Sequence, residues 1–219
     1  MNSPIIQLLV LAGIAVFLIL RLRSVLGTRE GFEKPPVPRQ PGNQNQGPEL
    51  EVIESGPDHD IIDNVADDSD AAKALAKMKR IDNSFSVNEF LQGARGAYEM
   101  ILTAFEQGDM ADIKPFLSED VYEAFAEVVE SRREQELDIE FTFVGVSELR
   151  LMDADFDDMT NEAELTVRFL GEMTSVVRDS AGEIIEGSSS DIKRQRDVWT
   201  FARKMGTSDP NWILVATGE

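Results

Sequence analysis

Residues 84–109, SFSVNEFLQGARGAYEMILTAFEQGD, read as a single helix that has two sides to bury. Ser86 is placed to cap the first turn, and Glu89 follows three residues later, the spacing of a capping box. Val87, Phe90, Leu91, Ala94, Tyr98, Ile101, Leu102 and Phe105 recur at steps of three and four and make one apolar stripe. Gly108-Asp109 supplies the stop. Beside the stripe run Gly93, Gly96, Ala97, Met100 and Ala104, mostly small, so another backbone can come close. Such a helix belongs inside a folded domain, not in an isolated amphipathic segment.

Downstream, Met110 to Leu117 makes a short turn of helix broken by Pro115, and Ser118 caps a further helix whose stripe is Val121, Tyr122, Phe125, Val128 and Val129. Arg132 falls on that stripe and Arg95 at the edge of the first one. Each suits either a structural ion pair or a polar group at the rim of a pocket. From Leu137 the period changes to two. Ile139, Phe141 and Phe143 alternate, the phase slips to Val144 and Val146, and Gly145 marks a bulge. Asp153, Asp155, Asp157 and Asp158 lack the glycine and closing glutamate of a calcium loop and read as a solvated connection. Ala163, Leu165, Val167 and Phe169 alternate with polar residues in a strand that continues to Val177, Asp179–Gly182 is a turn, 191–203 is the return strand, and Trp212–Thr217 is the last.

The layout is therefore α+β: helices, then a meander of long antiparallel strands, with the helices covering one side of a curved sheet. A bent sheet closed by helices is a cone. Phe90, Tyr98, Phe105, Phe141, Phe143, Leu165, Phe169, Trp199 and Phe201 are the candidates to line a cavity in it; the same residues suit a filled core.

Upstream, residues 70–81 form a short amphipathic helix. Lys73, Lys77 and Arg80 share one side, which suits the helix dipole or, alternatively, anionic lipid headgroups. Residues 27–69 pass from Pro-rich through Gly/Asn/Gln-rich to acidic composition and are expected to be a disordered linker. Residues 1–26 are expected to be a transmembrane anchor. Pro4–Leu20 carries no charge and would make a helix of about 26 Å, short for a hydrocarbon core of about 30 Å but extended by Leu22, Val25 and Leu26. A cleaved signal peptide needs a basic start, which Met1-Asn2-Ser3 does not provide. Arg21, Arg23, Arg29 and Lys34 all follow the span, so the expected orientation is N-terminus outside and the domain in the cytoplasm.

Composition excludes several classes. The chain has 219 residues, no cysteine, one histidine and a formal net charge of −20. Thiolate and histidine metal sites have no raw material, and no basic surface for a nucleic-acid backbone is evident. The acid excess favours basic partners. No phosphate loop, nucleophile elbow or nucleophile–histidine pair is present, and no cofactor is expected.

One pattern remains: Phe90-Leu91-x-Gly93-Ala94-x-x-Ala97-Tyr98-Glu99-x-Ile101-x-x-Ala104-Phe105-x-x-Gly108-Asp109, then Leu117-Ser118-x-x-Val121-Tyr122-x-x-Phe125, and later Val198-Trp199-Thr200-Phe201-x-Arg203 with Pro210-Asn211-Trp212-x-Leu214. Over about residues 70–219 this resembles the Tim forty-four-like domain of a mitochondrial presequence-translocase subunit and bacterial membrane-anchored homologues. The resemblance implies a domain at 82–219 with a cone fold similar to nuclear transport factor two, an apolar pocket, and a tethering role at the inner membrane. The chain departs from the mitochondrial pattern in having a spanning segment instead of a cleaved basic presequence, and in lacking a long charged coiled-coil region. The expected function is a non-enzymatic, membrane-tethered scaffold. Its domain would hold a peptide or membrane-protein partner, with anionic lipid as a secondary contact. The alternatives are a pocket enzyme of isomerase or hydrolase type, for which Tyr98, Arg95 and Arg132 are the loose candidates, and a periplasm-facing secretion component.

Overall fold

The computed structural model describes residues 58–218. The expected anchor at 1–26 and most of the expected linker lie outside them. Among the described residues, no helix is long and apolar enough to cross a membrane. The elements are α1 (His59–Ile62), α2 (Asp70–Ile81), α3 (Val87–Gln107), α4 (Met110–Ile113) followed by a 3-10 turn (Lys114–Phe116), α5 (Glu119–Glu134), and the strands β1 (Asp138–Asp157), β2 (Glu162–Arg178), β3 (Ile184–Lys204) and β4 (Ile213–Gly218). The strands form one antiparallel sheet in the order β1-β2-β3-β4, and the fold is α+β.

Helix α3 starts and stops where its residues demand. Ser86 accepts the Glu89 N–H at 3.3 Å, and Gly108 takes the left-handed conformation at φ 79° that ends it. Val87 to Leu102 of the stripe are buried, and Phe105 is partly so. The remaining N-terminal donors are met from outside the helix. The Asp60 carboxylate accepts from Val87 N at 2.8 Å, Asn88 N at 2.9 Å and Ser86 Oγ at 3.0 Å, and Lys79 Nζ lies 2.8 Å away.

This corrects the expected linker boundary. Residues 58–69, taken as part of a disordered 27–69, include α1, whose Ile61 is buried and whose Asp60 caps another helix. The composition is that of a linker, but tertiary partners fix it. Burial alone would raise the Asp60 pKa; the Lys79 ammonium, the two backbone N–H groups and the Ser86 hydroxyl outweigh it and bring it down to about 2. A carboxylate depressed in this way stabilises the fold above its unfolded pKa of about 4, and loses that contribution as pH falls toward 2. Asp60→Asn is expected to cost about 1–2 kcal/mol at neutral pH and to flatten the acid limb of a pH–stability curve measured by thermal melting. An unaltered acid limb would refute the remote cap.

The sheet's inner face is set by register. Ala163, Leu165, Val167, Phe169 and Met173 of β2 stand opposite Phe156, Ala154, Leu151, Leu149 and Phe143 of β1, and Leu165 and Val167 stand opposite Phe201 and Trp199 of β3. Helices α2 and α3 pack against β1, and these apolar residues join theirs in one core. Helix α2 runs to Ile81, is capped by Ser69 at 3.1 Å, and buries Ala71, Ala72, Ala74, Leu75 and Met78.

β1 carries three irregularities, with Val144, Ser147 and Met152 as the extra residues. The first lies beside Gly145, where a bulge was expected; the other two had no glycine to announce them. Bulges bend a strand and increase its twist. Three further expectations change. Asp153–Asp157 belongs to β1, not to a connection, and the turn follows it. β3 begins at Ile184, because main-chain pairing with Arg178 to Ser175 carries a Gly/Ser stretch that has no apolar alternation. Val128 is exposed, although it sits in the α5 stripe.

Candidate functional site

The space between α3 and the inner face of the sheet is filled around Tyr98. The Tyr98 ring stacks on Phe169 at 4.3 Å with 3° between planes, and Trp199 and Phe143 lie at 4.8 and 6.0 Å. Its hydroxyl donates to Asp197 Oδ2 at 2.5 Å, and Gln195 Nε2 donates to both oxygens of that carboxylate at 3.1 and 3.2 Å. Burial first, then the hydrogen bond to Asp197, push the Tyr98 hydroxyl well above the ordinary tyrosine pKa, so it stays protonated. Of the nine residues expected to line a cavity, Tyr98, Leu165, Phe169 and Trp199 are buried core, and Phe105, Phe141 and Phe143 pack against it part-exposed. Phe90 and Phe201 are also buried, and they form part of the lining of a groove.

That groove, of about 610 Å³, lies on the small-residue flank of α3. Gly93, Ala94, Gly96, Ala97 and Met100 form one wall; Phe116 and the β3–β4 segment Pro210-Asn211-Trp212 form the other. Phe90 packs on Trp212 at 4.8 Å and on Phe201 at 5.9 Å, which fixes the floor. A Cβ placed on Gly93 or Gly96 would have nothing within 4 Å. The flank read from sequence as a close-approach surface is therefore present, and among the described residues no element covers it at Gly93 and Gly96.

A second hollow of about 390 Å³ shares Gly96 and Met100 with the first and continues past Thr103 and Ala104 to Gln107, with Ile113 opposite. Glu89, Glu99, Asp109 and Asp112 stand along this track. Among the described residues, its lining holds one cationic side chain, Arg203, which is paired with Asp82.

From sequence, Arg203 stood only in the pattern that carries the family resemblance and not among the candidate site residues. Its Nη2 donates to Asp82 Oδ2, its guanidinium lies over the Trp212 ring at 5.8 Å, and its Nε is buried without an acceptor. Asp82 in turn accepts the Ser84 N–H at 3.0 Å and hydroxyl at 2.6 Å, so the end of the groove is a braced turn. A signal was available: Trp199, Phe201 and Arg203 alternate at period two and so share the inner face.

The two arginines that were named lie elsewhere. Arg95 Nη1 donates to the Val146 carbonyl at 2.9 Å, beside a β1 bulge. Arg132 pairs with Glu106 at 3.3 Å and sits 4.6 Å over the Phe105 ring, joining α5 to α3. Neither lines the groove, so the structural ion pair describes Arg132, and a backbone tie describes Arg95. On α2, Lys73 pairs with Asp70 at 2.7 Å and Lys77 with Asp158 at 2.5 Å; Arg80 is exposed. Two of the three lipid-surface candidates are thus engaged with carboxylates of the chain itself. Among the described residues, no group of three or more acidic or histidine side chains is arranged to hold a metal ion.

Compared with known proteins, residues 71–219 match the family model described as the Tim44-like domain. The mitochondrial import inner membrane translocase subunit TIM44 of Homo sapiens is 21% identical over 152 residues. That match takes in 69% of this chain and 33% of the human protein, so the chain spans about a third of that relative's length. Among solved structures, the crystal structure of the intermembrane space region of the chloroplast protein ARC6 aligns with a TM-score of 0.43 at 8% identity, over 58% of this chain and 94% of that one.

Proposed function

This chain belongs to the Tim44-like domain family, and from that premise we propose that it is a non-enzymatic, membrane-tethered scaffold whose domain holds a polypeptide partner in the groove along α3. The observation that carries the reading is the uncovered wall at Gly93 and Gly96. Glycines inside a helix cost stability relative to alanine, by about 0.5–1 kcal/mol each, so their presence where nothing packs points to a guest that needs the space. The acidic track beside them suits a basic guest. Tyr98, which pocket chemistry on this fold would draw on, is closed off beneath Phe169 and Trp199, and this favours binding over catalysis.

The rest of the proposal comes from sequence. Residues 1–26 anchor the chain in a bacterial inner membrane, the arginines after the span keep the domain on the cytoplasmic side, and the work done there is protein translocation or membrane-protein assembly. Anionic lipid is at most a secondary contact, through Arg80 and its neighbours on α2. One position tests the proposal. Because the chain lacks cysteine, Met100→Cys gives a single thiol in the groove. In intact cells a membrane-impermeant maleimide should leave it unlabelled, and a permeant photoreactive maleimide should cross-link it to a protein. The same group at Val128→Cys, exposed on α5, should cross-link to nothing. Impermeant labelling would overturn the cytoplasmic placement; equal capture from both positions would overturn the groove.

A further inference from the structure

We infer that the outer face of the sheet, turned away from the core, is a self-complementary surface on which a second copy of this chain docks about a two-fold axis. Leu165, Val167, Phe169, Trp199 and Phe201 join the core, so their strand neighbours Glu164, Thr166, Arg168, Val198, Thr200 and Ala202 stand on the outer face. On that face two like-charge pairs stand directly across β1 and β2: Arg150 opposite Arg168, and Asp155 opposite Glu164. Like charges placed this way weaken a strand pair. One pair is cationic and the other anionic, and they flank a single row made by Asp153, Thr166 and Thr200.

Both pairs are open to a partner outside the chain. Arg150, Asp155 and Glu164 are exposed, and among the described residues none of the three is in an ion pair. Glu148, which pairs with Arg168, has Arg150 and Arg196 beside it as well, so one carboxylate stands among three guanidiniums in a chain of net charge −20. At the acidic pair, burial first and then the charges of Glu162 and Asp155 raise the Glu164 carboxyl above its ordinary pKa. A second copy turned end for end lays each charged row on its opposite, Arg150 and Arg168 over Asp155 and Glu164 of the copy, and the reverse. The charges choose the axis. A two-fold along the strands would set each row on its own sign, so the axis runs across them, at Thr166 and Thr200.

The row at the axis admits a close approach. Thr166 and Thr200, whose hydroxyls lie 3.0 Å apart, are flanked by Ala202 and Ala216, and such small side chains let two sheets close to about 10 Å. Packed sheets cross at about 30°, so strands are displaced by about 3 Å two residues from the axis and by about 7 Å four residues out, more than one interstrand spacing. The contact is therefore confined to the central rows, with Glu148, Arg196, Glu162 and Lys204 at its rim. A patch of that size falls short of the roughly 800 Å² per partner of a standard interface and makes a weak, salt-sensitive dimer. It lies across the sheet from the core that α3 joins, so the groove stays open in the dimer.

The test is sedimentation of the full chain in detergent micelles. Wild type should dimerise with a dissociation constant of about 10–100 μM in about 0.05 M NaCl, and at least about tenfold more weakly in about 0.5 M. Arg150→Glu and Asp155→Arg should each weaken association at least about tenfold. An equimolar mixture of the two should return to within about threefold of wild type, because each variant supplies the sign that the other has lost. Asp153, at the edge of the axis, meets its own copy, so Asp153→Asn should tighten the dimer about threefold. A wild type still monomeric at about 200 μM, an association indifferent to salt, or a mixture that does not recover would overturn the docking surface. An Asp153→Asn dimer no tighter than wild type would overturn the placement of the axis. Because the salt series uses the wild type, it decides even where a substitution disturbs folding.

Discussion

Replacing Gly171 with alanine should destabilise the domain by about 2–4 kcal/mol, a loss readable in a chemical denaturation midpoint. Gly171 lies on the inner face of β2, opposite Val146 and Gln195. A Cβ there would stand 2.6 Å from the Tyr98 hydroxyl and 3.0 Å from its Cε1 and from Met173 Cε. The methionine end can swing away. Tyr98 cannot, because it is stacked on Phe169, wedged by Trp199 and bonded to Asp197. Moving it either breaks the bond to a buried carboxylate or unstacks the ring. Tyr98→Phe, which leaves the ring and removes the donor, should itself cost about 1–3 kcal/mol. In that background Gly171→Ala should cost much less, because its nearest obstacle is gone; additive costs would refute the steric account. The pair also carries a pH signature. A tyrosine whose folded pKa is raised lends stability in full below its unfolded value of about 10, and loses it as pH rises beyond that. The wild-type chain should therefore weaken above about pH 10 by a component that Tyr98→Phe lacks.

The same centre shows what the sequence could and could not reveal. Helix α3, its cap, its stop and its stripe were legible because each is a local rule, and the alternation of β2 placed Leu165, Val167 and Phe169 on one face correctly. Whether those residues enclosed a cavity or filled it was not legible, because periodicity reports which face a side chain takes and not what meets it there. Gly171 falls in the β2 alternation, yet nothing along the chain says that a tyrosine from residue 98 will lie across it. The ordering of residues 58–69 was hidden for the same reason: Asp60 is one acid among many until Val87, Asn88 and Lys79 surround it. The small-residue flank of α3 was visible, but its partner was not, and among the described residues no element packs on Gly93 or Gly96.

That flank yields a prediction of opposite sign to the first. Gly93→Ala with Gly96→Ala should raise stability, by about 1–2 kcal/mol for the pair, since both sit inside α3, nothing lies within 4 Å of either new Cβ, and alanine restricts the unfolded chain more than glycine does. Gly96→Leu, with room for its side chain only in the groove, should leave the melting temperature near that of wild type and cut affinity for a synthetic lysine-rich peptide, the kind of basic guest proposed above, by about a hundredfold. Structural glycines behave the other way: Gly171 tolerates no Cβ because the fold already occupies its space. A glycine that the fold would be better without, and that binding cannot do without, is kept for the guest. Fluorescence gives the readout, because Trp212 stands in the groove wall while Trp199 is buried in the core. Binding of that peptide should therefore shift the Trp212 emission in the wild type and fail to do so in Gly96→Leu. Were the leucine variant to bind as tightly as wild type, the uncovered face of α3 would be a surface without a partner, and the scaffold reading would lose the observation that supports it.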